Sequence, residues 1–443
     1  MPATNPSETP RTVEEMRVDW PTPDHVPEHL KVDLTWGMGD RPNDLPNPFA
    51  PGVWLAGPHV PPLLYQPADP SGRIGSGGIT NQGWVVSHYE DIDRVYSDND
   101  YFSNAGAAEF QAVVGETFRT IPLAVDPPEH RKYRMFLMPH FSPSRLNKMQ
   151  DSIRKIVVEM IEGFAARGEV DISWDFGRVY PVRVFMGLMK FPDEMFEQFL
   201  AWEWNILHSG DMTLIKSALT EILAYLRSFM AEKERNPDDS LTSAIVNGQI
   251  EGRPLTDEEK IGIVWLLWLG GLDTVAASIA LMFRRMAFEP EIQRRLAADR
   301  SLIPGAVEEF LRVNPVVNSG RTARQDFVWH GVQIRKGDSV KCNNSAGNYD
   351  PARFPDPERF DPTRTANRHF TFIGGVHICL GAALARRELR IMLDEWFQRM
   401  PEFSVKPGSD TTCYPGLISA RHLHITWDAS KVRWPVEQAE AAE

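Results

Sequence analysis

Cysteine is scarce in this chain: three in 443 residues, Cys342, Cys379 and Cys413. Three cannot pair completely, so a disulfide scaffold is excluded and a reducing compartment is expected. Positive charge is also short. Lys and Arg total 47 against 60 Asp and Glu, for a formal net charge of −13, which argues against nucleic acid as a general partner. Gly/Ser linkers, internal repeats and breaks in composition are missing too, so one large domain is expected. No charged-then-apolar leader or N-terminal anchor is visible, and the expected location is cytoplasmic. Residues 1–28, rich in Pro, Thr and Glu, are expected as a mobile arm, 29–432 as the folded domain, and 433–443 as a frayed acidic tail.

Long apolar runs are almost absent. The exception, residues 261–283, carries a single charge, Asp273, and is long enough to cross a membrane. Gly270-Gly271 and Asp273-Thr274 interrupt its middle, where a lipid-facing acid is costly. Thr256-Asp-Glu-Glu259 ahead of it is a capping box. These features predict a buried core helix over about 257–288, stopped before Pro290 and on the order of 45 Å long. Helical periodicity also marks 145–166, 193–207, 214–234, 304–312 and 382–400. Strand-like pieces are fewer: 83–87, 328–334, 339–341 and 422–427. The expected fold is mainly α with small antiparallel sheets and one long central helix.

What is present is a glycine-rich loop around a lone cysteine, Phe372-Ile-Gly-Gly375-Val-His377-Ile-Cys379-Leu-Gly381, just before a helix. No Cys or His stands at zinc-like spacing, which argues against a zinc knuckle. A sulfur ringed by backbone N–H groups at a helix N-terminus is expected to favour the thiolate. Such a thiolate suits one open position on a metal that is otherwise ligated, as haem iron is.

The loop resembles the haem-ligand signature of the cytochrome P450 family, meeting every fixed position of Phe-x-x-Gly-x-His/Arg-x-Cys-x-Gly. Resemblance extends along most of the chain and is strongest to the bacterial camphor-hydroxylase branch, through 247–254, 330–337 and 385–389. It implies a single-domain P450 fold, the long helix over a haem b, and Cys379 as axial ligand. His130, Arg134, Arg321 and His377 are then expected at the haem propionates, Phe372 beside the sulfur, and Gly381 in the ligand loop. Asp273 and Thr274 resemble the family's acid–alcohol pair, the acid relaying protons and the alcohol donating a hydrogen bond during oxygen activation. Read on the helix alone, Gly270-Gly271 favours a helix–helix contact over the approach of a flat ring or small ligand. Thr274 is expected to bond the Gly270 carbonyl and open the helix.

Glu309 and Arg312 stand three apart on one helix face, and with Arg359 of Pro357-Glu-Arg359-Phe360 they match the family's structural triad. By position, Phe118, Leu266, Leu269, Gly270, Val317, Leu417 and Ile418 are expected to face substrate. Their apolar character suggests a compact terpenoid or norisoprenoid. Arg386, Arg387, Arg390, Arg131, Lys132 and Arg134 are expected as a basic face for an acidic iron–sulfur ferredoxin, itself served by a reductase. The expected activity is hydroxylation of a C–H bond by a monomeric enzyme with dioxygen and two electrons. Alternatives are a peroxide-driven peroxygenase and a non-catalytic haem-thiolate sensor.

Overall fold

Helix-forming periodicity dominates the chain, and helices dominate the fold. The computed structural model describes residues 12–34, 44–68, 82–414 and 417–434. Its helices include Glu129–Leu137, Gln150–Ala165, Val179–Met189, Phe196–Leu207, Met212–Arg235, Ile303–Val313 and Ala382–Arg399. The capping box forms as expected: Thr256 Oγ1 accepts the Glu259 N–H at 3.2 Å, and the Glu259 carboxylate accepts the Thr256 N–H at 2.8 Å.

That box starts the central helix, which is divided: Asp257–Gly271 and Asp273–Phe288 are separate segments joined at Leu272. It is the one described helix long and apolar enough to cross a membrane, and 61% of its most apolar window is buried. It packs as core. Trp265, Trp268 and Phe283 on it are fully buried, with Trp396 of the cysteine helix (Ala382–Arg399) 4.5 Å from Phe283 edge-on.

Strands are short. Five form a sheet in the order Leu63–Gln66, Gly83–Val86, Ser339–Cys342, Ser319–Ala323, Phe102–Ser103. One of its pairings, Ser339–Cys342 with Gly83–Val86, is parallel, so the sheet is mixed where antiparallel was expected. The strand predicted over 328–334 is a hairpin, Phe327–Trp329 and Val332–Ile334, because His330 (φ 47°) and Gly331 (φ 78°) turn the chain. The C-terminal strand His424–Trp427 lies between Phe403–Val405 and Glu169–Asp171.

Of the expected arm, residues 1–11 lie outside the described residues. Residues 12–28 are anchored: Met16 and Val26 are buried, and His25 bonds Asp338 at 2.8 Å. The acidic tail from 435 onward is also outside.

Candidate active site

The ligand loop is a strained turn built around glycine. Gly375 has φ 64°, and a Cβ there would sit 1.9 Å from the Tyr96 carbonyl oxygen. Ile373, a β-branched residue, is held at φ 53°, a conformation that persists only where surroundings impose it. The Cys379 N–H donates to the Phe372 carbonyl at 3.0 Å and closes the loop. Arg386 lies 4.4 Å over the Phe372 ring. Gly381 caps the cysteine helix, its added Cβ 3.9 Å from the Cys379 sulfur.

Cys379 is exposed, whereas Cys342 and Cys413 are buried. Around the thiol itself, burial pushes its pKa up against the lowering by the Gly381 and Ala382 N–H groups and by Arg134 and Arg386. The expectation that the loop alone favours a thiolate is therefore corrected: desolvation outweighs the donors. A coordinating metal ion deprotonates such a thiol outright.

The four side chains expected at the propionates come together. The His130 and His377 rings are 4.4 Å apart. Arg134 donates to the Ile378 carbonyl at 2.7 Å. Burial, then the charges of Arg321 and His130, push His377 down to about 3. His130 Nε2, His377 Nε2 and Arg321 Nη2 are buried without a partner. Unmet buried polar groups cost about 1–3 kcal/mol each, and a cluster of them calls for acceptors. The two carboxylates of a haem fit this donor set.

On the divided helix the two glycines separate in role. A Cβ on Gly271 would strike the Phe185 ring at 2.6 Å, a helix–helix contact, whereas Gly270 is exposed and faces open space. Thr274 Oγ1 bonds the Gly270 carbonyl at 3.4 Å, as expected where the helix opens. Leu266, Leu269, Val317 and Leu417 are half-buried; Phe118 and Ile418 are buried. The Phe118 carbonyl accepts from Gln111 Nε2 at 2.7 Å, which fixes its loop.

Two residues missed in the sequence join Asp273. His208 Nε2 lies 2.9 Å from Asp273 Oδ2 and 3.1 Å from Glu203 Oε1. Burial alone would lower His208, but hydrogen bonds to Asp273 and Glu203 override it and hold the imidazole up at about 10. Burial pushes Glu203 up, so the firm ion pair is His208 with Asp273. The available signal was Glu203 itself, an acid on the apolar stripe Phe199, Leu200, Ile206. A raised imidazole contributes stability in full below its unfolded pKa of about 6.5 and loses it as pH rises toward 10. His208→Asn should therefore cost on the order of 2–4 kcal/mol at pH 7, with the gap closing by pH 10, in denaturant melts across pH.

The triad needs one correction. Glu309 and Arg312 are fully buried and paired at 2.7 Å. The second cation on Glu309 is Arg364, at 3.2 Å. Arg359 is exposed and offers Arg364 its backbone carbonyl at 3.3 Å. The basic face is partly cancelled: Glu308 holds Arg386 and Arg390, and Glu129 holds Lys132. Arg131 is exposed, and Arg387 donates to Asn147 at 2.6 Å.

Known proteins resemble this chain along most of its length. The family model described as Cytochrome P450 matches residues 182–415. The probable cytochrome P450 127A1 of Sinorhizobium fredii is 33% identical over 92% of this chain and 97% of its own length. The mycinamicin IV hydroxylase/epoxidase of Micromonospora griseorubida is 32% identical over 72% of this chain and 82% of its own. The crystal structure of CYP101J2 superposes with a TM-score of 0.79 at 30% identity, covering 92% of this chain and all of that one.

Proposed function

Starting from a chain that belongs to the cytochrome P450 family, the monooxygenases that bind haem through an axial cysteine thiolate, we propose that it hydroxylates a C–H bond of a compact apolar substrate, terpenoid or norisoprenoid in class. When bound, the haem supplies the iron at which dioxygen is activated with two electrons. Cys379 is its ligand, and His130, Arg134, Arg321 and His377 hold its carboxylates. The single observation that carries this reading is the set of buried, unpartnered nitrogens on His130, Arg321 and His377, the last of them two residues before the exposed Cys379 in the same loop.

Leu266, Leu269, Val317 and Leu417 give the substrate cavity apolar walls, and Gly270 leaves room for close approach. Phe118 and Ile418 back these walls from buried positions. Recognition is then mainly by shape. Electrons come from an acidic ferredoxin docked on the face of Arg131, Arg134 and Arg387. The exposed apolar side chains of Met135, Met138, Val376 and Ile378 support that reading, since an apolar patch ringed by positive charge suits an acidic partner.

The Thr274 hydroxyl, held by one 3.4 Å bond, is free to turn and donate into the cavity. Asp273 passes protons toward it from the side of His208. Thr274→Ala should leave haem bound and divert electrons into hydrogen peroxide, with product per electron falling at least about tenfold. Unchanged coupling would remove the relay role and favour a peroxide-driven enzyme, which needs no such pair. The whole reading is tested by reconstitution with ferredoxin, its reductase and a panel of small terpenoids. Optical shifts report binding and chromatography reports product. Failure of every apolar candidate to bind would sink the substrate class, and binding without product would favour a sensor.

A further inference from the structure

Asp171 closes the short strand Glu169–Asp171 and pairs in register with His424 at the start of the C-terminal strand. His422 lies two residues earlier, on the same side of the chain, because Leu423 between them points the other way and is fully buried. Asp171 is buried. Its Oδ1 accepts the backbone N–H groups of Trp174 at 3.2 Å and Leu423 at 3.0 Å. Oδ2 is left for the two imidazoles. His422 Nδ1 stands 2.5 Å from it and His424 Nε2 3.7 Å. The Trp174 ring stacks on His422 at 5.2 Å.

We propose that Asp171, His422 and His424 form a surface site for one divalent transition-metal ion of the zinc type, separate from the haem centre. The three donor atoms lie within 4.8 Å of one another. Ligands on a tetrahedral zinc, bound at about 2.0–2.2 Å, sit about 3.4 Å apart. His424 already stands near that distance. His422, 54% exposed at its side chain, has the freedom to withdraw by the remaining ~1 Å. Two imidazoles and one carboxylate select zinc, nickel or copper over calcium and magnesium, which prefer oxygen. The outer sides of both rings are open to solvent and leave positions for water. The carboxylates of Glu169 and Asp410 interact with His424 and His422 and add negative potential around the ion. An ion here ties the C-terminal strand to the turn 172–177, whose Gly177 lies against the divided helix at Ala276. The ion thus braces a layer next to the helix carrying Asp273 and Thr274.

The test is calorimetric titration of the full-length, haem-loaded, chelator-washed protein with zinc chloride, and separately with calcium chloride. One zinc per chain with a dissociation constant of about 10 μM or tighter is expected, without calcium binding and without change in the haem spectrum. Loss of a supporting group around a metal already costs about 10–100-fold in affinity. The His422→Gln/His424→Gln variant, altered only at half-exposed positions, should therefore bind at least about tenfold more weakly. Absence of saturable zinc binding, equal binding of calcium, or unchanged affinity in the double variant would each overturn the site and leave Asp171 as a hydrogen-bonded anchor for two surface histidines. None of these outcomes bears on the haem reading, because the site shares no residue with it.

Discussion

Replacement of Cys379 by alanine should leave a folded protein that has lost the red-shifted absorption band of its reduced, carbon monoxide-treated form, with product formation down by more than about a thousandfold. The loop should survive, since it is closed through backbone: the N–H of residue 379 donates to the Phe372 carbonyl, and Gly375 and Ile373 set the turn. Alanine keeps all of these and removes only the electron-pair donor. A thousandfold loss corresponds to about 4 kcal/mol of barrier lowering, a fair share for the electron donation that the Cys379 thiolate would supply to a bound haem iron. Haem should still be retained in part through His130, Arg134, Arg321 and His377. That separates this variant from Arg321→Ala, in which haem occupancy itself should fall. Persistence of the shifted band without the sulfur would end the ligand assignment.

Why this residue was legible in the sequence, while others were not, follows from the range of the forces involved. The cysteine loop is local: one turn, one helix start and a glycine held at positive φ. The capping box and the opening at Thr274 are local too, each spanning three or four residues. Ion pairs between distant segments leave no such trace. His208 reaches Asp273 across 65 positions, and Arg364 reaches Glu309 across 55. Chain spacing cannot choose between Arg359 and Arg364, because both lie on one irregular stretch and only its path decides which guanidinium turns inward. The thiol expectation failed for a related reason. Donors at a helix N-terminus are visible in sequence, but the desolvation that outweighs them belongs to the assembled protein. The hairpin at 327–334 reads as a continuous strand until His330 and Gly331 turn with positive φ.

Removal of Glu309 should be among the most damaging single changes in this chain. Its carboxylate accepts from Arg312 Nε at 2.9 Å and Nη2 at 2.7 Å, from the Asp361 N–H at 3.1 Å, from Arg364 Nε at 3.2 Å and from Asn367 Nδ2 at 3.0 Å. Arg312 in turn donates to the Asn348 carbonyl at 2.8 Å. The Asn348 side chain then accepts the Phe370 N–H at 2.7 Å, two residues before the start of the ligand loop. Glu309→Ala leaves a fully buried guanidinium uncompensated, which costs about 3–5 kcal/mol, and haem retention should fall with stability. Arg364→Ala removes a peripheral partner and should cost about 1–2 kcal/mol. Arg359→Ala, at an exposed position, should stay within about 0.5 kcal/mol of the parent. Denaturant melts of the three haem-loaded variants would rank them. A ranking with Arg359 above Arg364 would restore the family's usual triad and contradict the structure. Burial alone would push the Glu309 carboxyl up; the Arg312 guanidinium overrides it and holds it below the usual range. A depressed carboxyl contributes fully above its unfolded pKa of about 4.3 and loses that contribution as pH falls further. The parent protein should therefore release haem on acidification below about pH 4, and Glu309→Gln should lack that acid-dependent step.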